Sequence, residues 1–309
     1  MIQTFDLPLP HGITLSCRAA GPAGRPVLLF LHGFPEAAFV WDGMLEHFSR
    51  PEHGGYRCVA PNLRGFERSS APTDVAAYRA KPLVQDLTAV IDAMTLDSPT
   101  PGQLACLVAH DWGGALAWSV AAQHPGLMRQ LAILNAPHPA TFARELALSP
   151  AQQASSAYMN FLARPDAADL LAENDFARLW PFFTDMAADA GPDAWLDEST
   201  RERYRSVWRL GLRGGCSYYA ASPLRPPTPG DPGAATVRLP RDKVEVNVPT
   251  LVVWGLGDTA LPKALLEGLE EFVSDLRVER VPDATHWIVH EQPQRVAALL
   301  GAFFAQSLP

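Results

Sequence analysis

Cysteine is scarce and scattered: the 309 residues hold four, Cys17, Cys58, Cys106 and Cys216, with no C-x-x-C pair among them. That spacing suggests neither a disulfide framework nor a zinc site. Cys58 and Cys106 fall in apolar, strand-like runs and read as plain core residues. Basic clusters are missing too. The formal net charge of −8 at pH 7 favours solubility and argues against nucleic acid or an anionic membrane as a partner. No uninterrupted apolar run reaches membrane-spanning length, and Met1 to Asp6 lack a basic stretch followed by an apolar one. The cytoplasm is the expected compartment and a small molecule the expected partner; self-association into a homo-oligomer stays open. No internal repeat is present. What the chain does have is 48% hydrophobic residues, enough for a large core in one big domain or a domain carrying an insertion.

One further absence points to chemistry. Where a hydrolase of the Gly-x-Ser-x-Gly type carries its serine, this chain has Asp111. Leu104 to Ala109 reads as a short buried strand, and Gly113-Gly114-Ala115-Leu116-Ala117 opens a helix rich in small residues. A strand turning sharply into a helix exposes the middle side chain of the turn, and small neighbours let the two elements cross closely. The exposed nucleophile is then a carboxylate. Its attack on an alkyl carbon gives an ester of the enzyme that water can cleave, which suits epoxides and alkyl halides rather than ordinary esters.

Strand patterns at Val27–Leu31, Arg57–Ala60, Leu104–Ala109 and Gln130–Asn135 alternate with helical ones, among them Leu83 to Met94, and predict parallel strands joined by helices. From about Pro137 to Val246 the pattern becomes helical and aromatic-rich, ending in a Pro/Gly-rich excursion from Pro223 to Pro240. Strand and helix then resume: Thr250–Trp254 a strand, Leu261 to Phe272 a helix, Leu276–Val281 a strand, Pro293 to Phe304 a closing helix. The simplest account is one sheet domain, residues 1–136 and 247–309, interrupted by a helical insertion over 137–246.

An aspartate nucleophile needs donors for the oxyanion of ester cleavage, a base for water, a partner for that base, and an acid for the leaving group. His32-Gly33-Phe34-Pro35 follows the strand Val27–Leu31, at the carboxyl end where open parallel sheets build their sites. Alone it reads equally as a tight turn; beside Asp111, the N–H groups of Phe34 and Trp112 become the expected oxyanion donors. His286 lies just past the strand Leu276–Val281 and is the expected base, nearer the strand end than His290. Asp258 follows the strand Thr250–Trp254 and can hold that base in the right tautomer. It also suits a helix N-cap before Leu261-Pro262, and one carboxylate can do both. The chain order nucleophile, acid, histidine is that of an α/β-hydrolase.

HGFPE at 32–36, PNLRGFERSS at 61–70, HDWGG at 110–114, WGLGD at 254–258 and HWIVHEQP at 286–293 together resemble the epoxide hydrolase branch of the α/β-hydrolase fold family, over nearly the whole chain. The resemblance implies a mostly parallel sheet with helices on both faces, and a cap formed by the inserted helices. It also implies two cap tyrosines that donate hydrogen bonds to the epoxide oxygen: Tyr158, and Tyr219 with Tyr218 as its rival. Aromatic packing is the alternative role for each. Two residues depart from the family pattern: Ala109 replaces the first glycine of the elbow, and Ala220 replaces an arginine that often follows the second tyrosine. The implied reaction converts an epoxide to a vicinal diol with neither metal nor organic cofactor. A dehalogenase with the same aspartate and histidine is the nearest rival. Haloalkane dehalogenases usually carry Asn or Glu where Phe34 stands, and fluoroacetate dehalogenases carry arginine at the position of Trp112. A catalytically silent binding protein is disfavoured by the complete triad. Phe161, Trp180, Phe182, Phe183 and Trp208 suggest an apolar pocket, with packing of the cap itself as the role of several of them.

Overall fold

The computed structural model describes residues 1–184 and 195–307. Its strands are β1 (Gln3–Pro8), β2 (Thr14–Ala20), β3 (Val27–Leu31), β4 (Arg57–Pro61), β5 (Cys106–His110), β6 (Leu131–Leu134), β7 (Thr250–Gly255) and β8 (Leu276–Val281). They form one sheet in the order β1-β2-β4-β3-β5-β6-β7-β8. Neighbours from β4 to β8 run parallel, and β2 and β1 add antiparallel at one edge. This is the α/β-hydrolase fold.

Strands covered on both faces must be apolar at every position, because alternate side chains enter opposite cores. In β3, Val27, Leu29 and Leu31 enter one core while Leu28 and Phe30 enter the other. Leu107 and Ala109 of β5 divide from Cys106 and Val108 in the same way. Helix α1 (Asp42–Phe48) lies on one face, and α2 (Ala80–Thr95) and α3 (Asp111–Gln123) on the other. The period read in α2 holds: Leu83, Leu87, Val90 and Ile91 are all buried.

Between β6 and β7 the chain runs through α4 (Pro139–Leu148), α5 (Pro150–Ser155), α6 (Tyr158–Leu162), α7 (Ala167–Phe176), α8 (Trp180–Thr184), α9 (Glu198–Trp208) and α10 (Arg213–Ala221). After β8 come α11 (Ile288–Glu291) and α12 (Pro293–Phe304), which close the face lined by α1. The ranges 137–246 and 247–309 drawn from the sequence include positions outside the described residues. Among the described residues, no helix is long and apolar enough to cross a membrane.

Three differences from the sequence reading have physical causes. β1 and β2 escape the apolar pattern: β1, the edge strand, is exposed or half-buried throughout, and β2, between β1 and β4, carries Ser16 and Arg18 among its apolar residues. The helix expected from Leu261 to Phe272 is instead two short 3₁₀ turns, Lys263–Leu266 and Leu269–Glu271, separated by Gly268 at φ 74°. A left-handed glycine ends a helix rather than continuing it. Helix α3 begins at Asp111 itself rather than at Gly113.

Candidate active site

Five loops meet at the carboxyl end of the parallel strands, after β3, β5, β6, β7 and β8. β5 ends at His110 and the next residue already starts α3, a turn that holds Asp111 at φ 49°. That left-handed conformation is strained for a residue with a Cβ. The turn is kept tight by bare backbone: a Cβ at Gly33 would overlap the Asp111 carboxylate, and one at Gly113 would lie 2.6 Å from the carbonyl oxygens of Leu31 and His32. Ala109, in place of the usual glycine, fits fully buried in the core. The Phe34 N–H donates to Asp111 Oδ1 at 2.7 Å. The Trp112 N–H belongs to the first turn of α3, whose amides have no acceptor within the helix.

Asp111 Oδ2 lies 3.7 Å from His286 Nε2, and His286 Nδ1 lies 2.8 Å from Asp258 Oδ2. Asp258 divides its work between its oxygens. Oδ1 accepts the N–H groups of Ala260 at 2.9 Å and Leu261 at 2.8 Å, while Oδ2 takes His286 and, at 2.7 Å, the Asn135 amide. The cap-like and histidine-holding roles thus coexist, although a turn rather than a helix follows. Burial alone would push the His286 imidazolium to a lower pKa, but the charge and hydrogen bond of Asp258, with the charges of Asp111 and Glu36, raise it to about 9. At neutral pH both ring nitrogens therefore carry protons, one directed to each aspartate.

Behind this row lies a second set of buried polar groups. Glu36, 1% exposed, faces His110 Nδ1 at 3.1 Å and His290 Nε2 at 2.7 Å, and accepts the Tyr204 hydroxyl at 3.1 Å. Burial would raise its carboxyl pKa, but hydrogen bonds from the two histidines outweigh that and hold it well below the usual range. His110 donates from Nε2 to the backbone carbonyl of His286 at 2.9 Å. His290 is thereby committed to Glu36. His32 is held neutral by burial, its pKa lowered to about 4; it donates from Nδ1 to the Gly33 carbonyl and accepts the Leu63 N–H at Nε2.

Asp111 and Trp112 open onto a cavity of about 240 Å³ beneath the helical segment. Tyr158 and Tyr219 line it, their ring centroids 6.1 Å apart, with Phe142, Met159 and Leu261 among the apolar walls. Burial raises the pKa of both hydroxyls, and the charge of Asp111 adds to the effect. Tyr218 also borders the cavity, but its hydroxyl donates to the Arg64 carbonyl at 2.9 Å. The aromatic lining expected from the sequence is corrected: Phe161, Trp180, Phe182, Phe183 and Trp208 do not border this cavity. They pack among themselves and their neighbours, as with Trp180 against Trp208 at 4.7 Å and Phe182 against Phe34 at 6.1 Å.

The family model for the alpha/beta hydrolase fold matches residues 26–293. Across 96% of this chain and 76% of its counterpart, the sequence is 32% identical to Epoxide hydrolase 3 of Xenopus tropicalis. The chain belongs to the epoxide hydrolase branch of the α/β-hydrolase family. Among solved structures, it is similar to an epoxide hydrolase from metagenomes of hot environments, with 34% identity, a TM-score of 0.84 and 98% of each chain covered. It is also similar to the Bacillus megaterium epoxide hydrolase bound to an inhibitor, with 27% identity, a TM-score of 0.85, and 97% of this chain and 100% of that one covered.

Three residues of this α/β-hydrolase site were given no role from the sequence: Asn135, Glu36 and His110. Asn135, at φ 40°, ties β6 to Asp258 and accepts the Gly255 N–H at 2.9 Å. The available signal was position, since each ends or follows an apolar strand at its carboxyl end.

Proposed function

We propose that the protein hydrolyses epoxides to vicinal diols through an ester formed on Asp111. The observation that carries this reading is a strained, cavity-facing carboxylate that shares its cavity with two tyrosines, Tyr219 buried and Tyr158 half-buried, whose hydroxyls keep their protons. An oxygen of Asp111 attacks one epoxide carbon, the ring C–O bond breaks, and the emerging alkoxide takes a proton from Tyr158 or Tyr219. Tyr219 is favoured over Tyr218 because the Tyr218 hydroxyl already donates to Arg64. Esterification removes the Asp111 charge, one of the charges that hold the proton on His286. His286 then returns the tyrosinate to its neutral form and becomes a free base, oriented by Asp258.

In the second half-reaction neutral His286 removes a proton from water as its oxygen attacks the ester carbonyl. The N–H groups of Phe34 and Trp112 donate hydrogen bonds to the developing oxyanion. Collapse releases the diol and restores carboxylate and imidazolium, so the cycle consumes one water and returns every proton. The helices between β6 and β7 act in this scheme as the cap that carries the two tyrosines. One turnover in heavy-oxygen water, with enzyme in excess, tests the route. The diol should emerge essentially unlabelled, with the label in the peptide bearing Asp111. Full labelling of the diol in that single turnover would mean direct attack by water and remove Asp111 as nucleophile.

A further inference from the structure

The space around Asp111 is lopsided. On the Trp112 side lies the cavity of about 240 Å³, walled by Leu83, Leu116, Phe142, Met159 and Leu261. Its polar edges are already engaged: Ser119 donates to the Ala115 carbonyl, Ser222 accepts the Leu224 N–H, and Tyr78 donates to the Pro72 carbonyl. Among the described residues of the lining, Asp111 is the one carboxylate and no side chain is cationic. This arm suits a neutral, apolar group.

On the Phe34 side the space is filled. The Phe34 ring, 3% exposed, meets Tyr219 edge-on at 5.4 Å and Phe182 at 6.1 Å. Gly215 of α10 approaches so closely that a Cβ there would lie 2.8 Å from the Phe34 ring. Phe182 is fixed in turn by the Trp287 indole, which donates to its carbonyl at 3.0 Å, and by Tyr158, edge-on at 5.6 Å. Between Phe34, Phe66, Trp208 and Gly215 the remaining void is about 10 Å³, at the lower limit for one water molecule. By contrast, an apolar cavity of about 150 Å³ holds a benzene ring, so the open arm accepts one aryl group and a short linker.

The geometry points to terminal epoxides bearing one apolar substituent as the substrate class, the substituent lying in the Phe142–Met159 arm and the second epoxide carbon, against Phe34, carrying only hydrogen. This rests on the epoxide reading above and adds a direction to it. Epoxides with an aryl group on each carbon would have to displace the Phe34–Phe182 contact.

The test compares phenyl glycidyl ether with trans-stilbene oxide on the intact enzyme, following diol formation. The terminal substrate should be favoured by about 100-fold or more in kcat/KM, the scale of steric discrimination by a filled pocket. Phe182→Ala, with Phe182→Leu as the milder change should the first fold poorly, should raise the relative turnover of trans-stilbene oxide by about tenfold. Comparable turnover of both epoxides by the unmodified enzyme would overturn the one-armed site and leave the epoxide reading intact. No diol from either would overturn both. A preference for the terminal epoxide unmoved in both Phe182 variants would overturn the assignment of the barrier to the Phe34–Phe182 contact.

Discussion

A histidine that is to act as a base begins here as an acid. His286 sits between two carboxylates with its pKa raised to about 9, so at neutral pH it holds a proton it must first lose. A histidine whose pKa rises on folding contributes stability that is complete below its ordinary value of about 6.5 and disappears as pH climbs through the folded value. Asp111→Asn removes one of the charges that raise it. In that variant the His286 ring, followed by NMR, should titrate at lower pH than in the unmodified protein, and its share of stability should fade at correspondingly lower pH. An unchanged titration would mean that Asp111 does not help to hold the proton, and would undo the order of events proposed for the cycle.

Elements decide where such residues meet. β3, β5 and β7 were readable in the sequence because burial on both faces leaves uninterrupted apolar runs, and Asp111, Asp258 and His286 could be placed from the ends of β5, β7 and β8. Asn135 and Glu36 were not readable, since one polar residue after a strand has no period to betray it. Tyr158 and Tyr219 came from family resemblance, because nothing in their local pattern separates a donor from a packing residue. Arg225, from the proline-rich excursion, donates to the Tyr219 carbonyl at 3.1 Å and the Ala220 carbonyl at 3.3 Å, and pairs with Asp231 at 2.7 Å. A cation at the carboxyl end of α10 stabilises its last turn. Arg225→Met should lower stability by about 1–3 kcal/mol and slow esterification of Asp111, with Arg225→Lys recovering part of the loss. Stopped-flow quenching of tryptophan fluorescence reads the rate and urea denaturation the stability. An unchanged rate would confine Arg225 to holding the excursion.

Across the whole molecule, Glu36 joins parts of the chain that are far apart in sequence. It gathers His110 from β5, His290 from α11 and Tyr204 from α9. The Trp208 indole adds a second link from α9, donating to the Pro35 carbonyl at 2.7 Å. Tyr204→Phe removes one hydroxyl from a buried carboxylate and should cost about 1.5–3 kcal/mol, measured by urea denaturation. No loss would mean that the Tyr204–Glu36 bond does not help to hold α9.

These links bear on traffic. Among the described residues, α8 is tied to Trp287, α9 to Glu36 and α10 to Arg64, so three helices above Asp111 are each fastened to the sheet domain. The cavity reaches the surface between Ala80, Pro223 and Leu239, all exposed. Among the described residues, this is a mouth through which small molecules can pass. On the proposal above, an apolar epoxide enters across this apolar rim, and the diol that leaves carries two new hydroxyls across it. On the proposed reaction, the rim built by the proline-rich excursion is therefore what the finished molecule must pass to make way for the next.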